Sequence, residues 1–379
     1  MLEAGLYSVN NGTYTQISSW QQLLNNNTYK VNNGTLTFSN WNSTTAYSSR
    51  CTDLGTDTFL VIDKSVKTIQ ESSLKNAQIS GLYIPESVTK ITYIRDLNRL
   101  STIYVSKNSN NFVVKDGVLF TKNMKTLILT PRTVTGSYTI PSSVQTVQSM
   151  AFERSSYSSI TIPEGVLKLE NGCMRYMPNI TIIYIPKTVQ TLTSAFANDP
   201  KLMEYVLDSA NPYFTLNDGV IYSKDMKTLL SCPQGRTAAL NIPNTVTAIA
   251  ANACDGCINL SAVTMTNNVE TIGWGAFRDC KALTTITLPN KIKRLENCLF
   301  SNVKFANITI PASVEFIDTN ALHGPQKVTF EDTLHKWEAV FVTGGATNSK
   351  IPSGQVYLTD PVQNATYFNN SGYYKWYKR

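Results

Sequence analysis

Cys254 and Cys257 stand in the run Cys-Asp-Gly-Cys, and Cys280 follows 23 residues later. This is the spacing of zinc sites and of thiol–disulfide couples, because two sulfurs so close in the chain can converge on one ion or on each other. A closed zinc site needs four ligands, and the sequence offers no fourth nearby. The only histidines, His323 and His335, fall together towards the C-terminal end, which excludes a repeated histidine ligand set. Neither adjoins a Gly-x-Ser-x-Gly elbow, and there is no phosphate-binding loop or dinucleotide fingerprint. Two histidines at the surface are the simpler reading. No spacing announces the paired carboxylates of a glycosidase. The expectation is a protein with no catalytic residue, no metal and no cofactor.

The elements that carry these cysteines explain them better. An apolar residue followed by proline recurs at Ile84-Pro85, Ile140-Pro141, Ile162-Pro163, Ile185-Pro186, Ile242-Pro243, Leu288-Pro289 and Ile310-Pro311. The shortest intervals are 22 and 23 residues, and the longer ones fit two repeats, with or without an insertion. Around each proline runs the frame I-x-I-P-x-x-V-x-x-I-x-x-x-A-F-x-x-C, most complete from Val263 through Val269, Ile272, Ala276 and Phe277 to Cys280. Cys257 and Cys280 fill one slot of successive repeats, and Cys254 takes the Phe slot, where a thiol packs as a small apolar group. Slot mates one coil apart lie about 5 Å from each other, so a Cys257–Cys280 bridge is geometrically open. With Cys51, Cys173, Cys232 and Cys298 the total is seven, without paired spacing, and the fold does not depend on disulfides.

The I-x-I segment alternates with period two, as a short strand with one buried face does. Proline, which has no amide hydrogen, ends it. The later Val, Ile and Ala-Phe slots fall on the far side of the coil and must point inward to meet the strand. One such coil buries too few apolar side chains to offset the ordering of its backbone, so coils must stack and share a core. The predicted fold class is a leucine-rich-repeat-like solenoid, mainly β, with one parallel sheet, short strands and turns, and two projecting β-hairpins. The hairpins come from two similar insertions, near residues 112–131 and 213–233. In them Asp116-Gly117-Val118 to Thr126-Leu127 matches Asp218-Gly219-Val220 to Thr228-Leu229, 102 residues on. Alternating apolar runs flank a four-residue polar turn in each.

These residues resemble the BspA-type leucine-rich repeats, also called the Treponema pallidum type, of bacterial and some protozoan surface proteins. The features that carry the resemblance are the IP-x-x-V-x-x-I core, the A-F-x-x-C slot and the D-G-V hairpin with its K-x-M-K-T-L turn, over roughly Thr58 to Lys336. The Asn of the commoner L-x-x-N-x-L pattern is missing. The resemblance implies a cell-surface or extracellular protein engaged in adhesion or host interaction, with a protein or glycan ligand on a host or neighbouring cell.

Composition agrees with an extended folded body. Of 379 residues, 42% are hydrophobic and only 16% charged, which excludes disorder for most of the chain. The net charge of +7 is scattered and does not form a stripe, so no nucleic-acid partner is expected. No apolar run reaches a membrane span, and the first thirty residues lack the basic start and apolar stretch of a secretory signal, so the chain is expected to be mature or trimmed, or exported by another route. Asn-x-Ser/Thr triplets at Asn11, Asn42, Asn179, Asn307 and Asn364 are what so much Asn and Thr produces by chance.

Three segments are expected: an N-terminal cap over 1–56, the solenoid over 57–336, and a C-terminal cap or the start of a further domain over 337–379. In the first, Trp20, Leu23 and Leu24 suit one short helix after Ser18 and Ser19, and Val31, Leu36 and Phe38 suit paired strands. In the last, Trp337, Tyr357, Phe368, Tyr373, Tyr374, Trp376 and Tyr377 supply aromatic mass to close an end. The middle residue of each I-x-I strand should face solvent, giving the uncharged column Val61, Tyr83, Tyr104, Thr139, Thr161, Tyr184, Val206, Asn241, Thr264, Thr287, Thr309 and Thr329. Strand propensity alone favours Thr and Tyr there. The functional reading is a ligand face using Tyr83, Tyr104, Tyr184, Thr161 and Asn241. The hairpin tips, with Lys122, Lys125, Lys224 and Lys227, form a second, basic candidate. The expected function is noncatalytic binding on the solenoid face; a structural spacer displaying another domain, or a carbohydrate-binding protein, is the alternative.

Overall fold

A computed structural model describes residues 57–70, 74, 79–192, 194–306, 308–318 and 320–322. It also describes short stretches at the ends: 3–10, 13–19, 21–22, 29–32, 35–38, 328–330, 356–360, 365–369 and 376–378. His323, His335, Cys51, Trp20, Leu23, Leu24, Trp337, Tyr373 and Tyr374 lie outside the described residues. The chain divides into two compact units, residues 1–178 with 188–191, and residues 179–187 with 192–379. Each is a stretch of β-solenoid, and regular structure among the described residues is almost entirely strand.

In the first unit, strands Asp57–Val61, Gly81–Ile84 and Thr102–Val105 form a parallel ladder, and Gly5–Asn10 lies antiparallel on its edge with Thr13–Ser19 outside it. In the second unit the same kind of ladder joins Ile182–Ile185 to Glu204–Leu207, and Leu240–Asn241 to Ala262–Thr264 and Thr285–Ile286. There too, Ile308–Ile310, Val328–Phe330 and Val356–Asp360 are parallel, followed by antiparallel Ala365–Asn369 and Trp376–Lys378. All seven apolar residues ahead of the prolines are buried. After Pro85, Pro141, Pro163, Pro243 and Pro311, the amide of the Val three residues on donates to the proline carbonyl. The proline thus stops the ladder with its missing N–H and opens the turn with its C=O.

The far side of each coil also pairs. Two-residue strands such as Thr68–Ile69 with Lys90–Ile91, Thr146–Val147 with Lys168–Leu169, and Ala248–Ile249 with Thr271–Ile272 make a second parallel ladder. Each buries the apolar residue of the V-x-x-I frame. The expectation that these slots point inward holds, and backbone pairing is added to it. Strands Tyr29–Asn32 and Thr35–Phe38 form a hairpin, with Val31 opposite Leu36, and the second of them pairs in parallel with Thr68–Ile69.

The two insertions feed this second ladder. Each is a three-stranded meander and not a two-stranded hairpin: Phe112–Lys115, Val118–Thr121 and Thr126–Leu129 in the first unit, Phe214–Asn217, Val220–Ser223 and Thr228–Ser231 in the second. The extra turn is Asp116-Gly117, or Asp218-Gly219, with both residues at positive φ (50° and 76°; 50° and 72°). Asp-Gly is the pair that this tight hairpin turn requires. The third strand of each meander then runs parallel to the next coil.

Coils turn their last corner through pairs of left-handed residues four apart: Met150 and Arg154, Gly172 and Tyr176, Asn252 and Gly256, Gly275 and Asp279, Cys298 and Asn302. They flank the Ala-Phe slot and carry Phe152, Phe277 and Phe300 fully into the core. All described cysteines are free thiols, so Cys257 and Cys280 are unbridged.

Candidate functional site

The outer face of the first unit's ladder is not a plain column of exposed side chains. Leu60 points into the core, so Phe59 and Val61 must fall on the opposite face. Both are buried there against Tyr7, with Tyr83 packed on the group. This corrects the placement of Val61, which was expected to face solvent; the strand Gly5–Asn10, unforeseen on this edge, brings the Tyr7 ring over it. Phe59 stands in register opposite Gly81, which in turn stands opposite Thr102. A β-carbon on Gly81 would collide with the Phe59 ring, so glycine is what lets that ring lie across the strand. It thereby reaches Tyr104, with ring centroids 5.8 Å apart and planes tilted by 56°. Tyr83 and Tyr104 are register partners, the first half-buried and the second 50% exposed. The pair is braced from beneath by two buried aromatic residues, Phe59 and Tyr7.

Beside Tyr104 opens a cleft of about 510 Å³ between strand Thr102–Val105 and the first meander. Thr102, Tyr104, Ser106, Lys107, Val114 and Lys122 are among its lining residues. The Tyr column and the first basic tip, read separately in the sequence, therefore meet in one place. Ser106 hydrogen-bonds the Glu86 carboxylate, which holds that acid below its ordinary range. The cleft thus offers an aromatic face, hydroxyls and two ammonium groups. Its lining contains no carboxylate, histidine or cysteine to act as base or nucleophile.

The other expected residues are placed differently. Thr161 is exposed beside its register partner Thr139, on the same unit's strand Ser156–Thr161. Lys125 is exposed at the first meander's turn. Tyr184 (49% exposed) and Asn241 belong to the second unit, where their partners are Val206 and Thr264. In the second meander Lys227 is exposed, but the Lys224 ammonium donates to the carbonyl of Asn211 at 2.9 Å, which ties it to its own backbone. Phe59, Gly81 and Tyr7 were missed by sequence reasoning. A glycine opposite an aromatic residue on the outer face is a usable signal, once the register is known.

Inside the second unit, the sulfurs of Cys232, Cys254 and Cys257 all lie within 4.8 Å of one another, and all three residues are fully buried. Cys280, also fully buried, places its thiol against Cys257 and 3.1 Å from the Cys254 carbonyl. The view that no further ligand stands near the Cys-x-x-Cys pair is therefore corrected. Cys232 lies outside the repeat frame, at the exit of the second meander, and only stacking of coils delivers it.

The BspA-type leucine-rich repeat model matches residues 2–96, 132–229 and 234–336, as six copies. The chain belongs to this family. The match starts well ahead of the frame visible by eye. Among solved structures, a leucine rich cell surface protein from Faecalibacterium prausnitzii is 18% identical, with 82% of this chain and 97% of that one covered and a TM-score of 0.51. The pneumococcal vaccine antigen PcpA is 19% identical over 73% of this chain and 72% of its own, with a TM-score of 0.49. A leucine-rich repeat protein from Eubacterium ventriosum is 23% identical over 70% and 76%, with a TM-score of 0.38. At these identities the likeness shows the fold alone. No curated protein matches the sequence. Among the described residues, no helix is long and apolar enough to cross a membrane.

Proposed function

We propose that this chain is a noncatalytic binding protein of the cell surface or extracellular space. It takes a protein or glycan ligand, from a host or neighbouring cell, on the outer face of its first unit. The observation that carries this reading is the braced Tyr83–Tyr104 pair beside the cleft that Lys122 borders. Burying Phe59 and Tyr7 on a face that would otherwise meet water fixes the tyrosines before any ligand arrives, so little rotamer freedom is lost on binding. A tyrosine ring is suited to a sugar face or an aliphatic side chain, and the hydroxyls and ammonium groups are suited to the polar groups around it. Membership of a repeat family, and the description of the Faecalibacterium relative as a cell surface protein, support the location.

Glycan and matrix-protein arrays test the reading. With the ligand they reveal, Tyr104→Ala should weaken binding by tenfold or more and Tyr104→Phe by much less. Gly81→Ala should also weaken it, without touching ligand, because the Phe59 brace must move. Equal binding by the wild type and a Tyr83→Ala, Tyr104→Ala chain would remove this face from contention.

A further inference from the structure

We propose that Cys232, Cys254 and Cys257, with Cys280 as the fourth sulfur, form a closed structural site for a soft tetrahedral cation of the zinc type. A zinc–sulfur bond of about 2.3 Å sets the sulfurs of a tetrahedral site roughly 3.8 Å apart. Three sulfurs already within 4.8 Å of one another need only a small contraction to reach that spacing. Cys280, against Cys257 but outside that mutually close set, must turn from the Cys254 carbonyl to complete four buried sulfur ligands, the donor set and enclosure that structural zinc uses.

The competing explanation is that thiols serve here simply as small apolar core groups. The first unit provides the control for it. Thr130, Phe152 and Ser155 stand 102 residues ahead of Cys232, Cys254 and Cys257, in the same frame. The backbone agrees: the amides of Thr130 and Cys232 donate to the carbonyls of Ala151 and Ala253 respectively. All three first-unit residues are buried. The fold therefore accepts a phenyl ring and two hydroxyls at these places. Packing alone does not call for sulfur at any of them, yet the second unit has sulfur at all three and adds Cys280 one coil on.

In the thiol form the S–H groups face carbonyls, those of Pro233 for Cys232 and Cys257 and that of Cys254 for Cys280. On coordination each ligating thiol releases its proton to solvent and its sulfur lone pair takes the ion; no electron is transferred. Because the sulfurs come from three successive stretches of the second unit, the ion would pin the meander exit to two following coils. It must enter while the chain folds, since the sulfurs are sealed from water afterwards.

The test uses the full chain, unfolded and refolded under reducing conditions with Zn2+, or with Co2+ as a coloured substitute. About one ion per chain is expected by elemental analysis, with thiolate-to-cobalt charge-transfer absorption. Cys257→Ala should lower affinity by at least tenfold. The chain carrying Cys232→Thr, Cys254→Phe and Cys257→Ser, which copies the first unit, should bind no ion while keeping its strand circular dichroism. Cys298→Ser, outside the cluster, should bind as the wild type does. The proposal is overturned by a wild-type chain that refolds and holds no more metal than the triple variant. It is equally overturned by an intact mass lower by two hydrogens that maps to a disulfide among these four cysteines.

Discussion

The two meander modules share a frame and differ in what they bury. In the first, Arg132 is almost wholly enclosed and donates to the carbonyls of Met150 and Ala151 and to the Thr130 hydroxyl. Burial pushes its guanidinium down to about 10, against the opposing pull of the Glu153 and Asp96 carboxylates. In the second, the same place holds Gln234, which donates to the Cys232 carbonyl, beside the thiol cluster. Glu153 corresponds to Asp255, whose carboxylate is held by Arg278 of the next coil. Ile103 and Leu129, both buried, correspond to Tyr205 and Ser231, whose hydroxyls are 2.8 Å apart. A larger residue opposite a smaller one preserves volume, and the hydrogen bond satisfies both polar atoms. The repeat frame thus specifies size and backbone path at each slot and leaves the chemistry open.

The largest effect should come from Arg132→Gln, which makes the first module resemble the second. It removes three donated hydrogen bonds and the positive charge that attracts the Glu153 and Asp96 carboxylates, at about 2–4 kcal/mol. Gln234→Ala should cost about 1 kcal/mol. Urea unfolding measures both, and equal costs would break the contrast. Next, Tyr205→Phe should cost about 1–3 kcal/mol by orphaning the Ser231 hydroxyl, whereas Tyr205→Ile with Ser231→Leu, the first module's pair, should stay within about 1.5 kcal/mol. The double-mutant cycle reads the coupling directly.

A pH titration of stability sharpens the comparison further. Burial raises the phenols of Tyr7, Tyr138 and Tyr157 in the first unit and of Tyr205 and Tyr222 in the second. Above pH ~10 the unfolded chain sheds these protons while the folded chain keeps them, so stability is present below that pH and falls as pH rises through it. Arg132 acts in the opposite sense: its lowered value makes the unfolded state the better proton binder, so stability gains as pH rises beyond about 10. Five phenols outweigh one guanidinium. The alkaline loss should be smaller in Tyr205→Phe and larger in Arg132→Gln, relative to each variant at pH 8. The smallest effect belongs to the tips: Lys224→Ala should cost a few tenths to about 1 kcal/mol through its lost backbone bond, and Lys125→Ala should stay within about 0.5 kcal/mol.

Much of this was legible in the residues. Seven apolar–proline pairs and the Val and Ile slots behind them announced both walls of the coil, because a strand's period of two and a proline's missing donor are properties of the chain itself. The Asp-Gly turns were equally readable, although the apolar runs drew attention to the other turn of each meander. The left-handed corners were not readable. Met150, Arg154, Tyr176 and Cys298 have no local preference for positive φ, and they adopt it because stacking and the buried Ala-Phe slot between them outweigh the local cost.

Repetition in the residues alone decided that coils stack, which side chains enter the core, and that Cys257 and Cys280 share a slot. Those outcomes depend on contacts between neighbours in a periodic frame, so the period suffices to specify them. Tertiary structure alone decided that Phe59 crosses Gly81 to brace Tyr104, that Lys122 borders the same cleft while Lys224 is tied to its own backbone, and that Cys232 joins the thiols of two later coils. Those outcomes depend on register and on how meanders enter the ladder, and they bring together residues that no fixed interval relates.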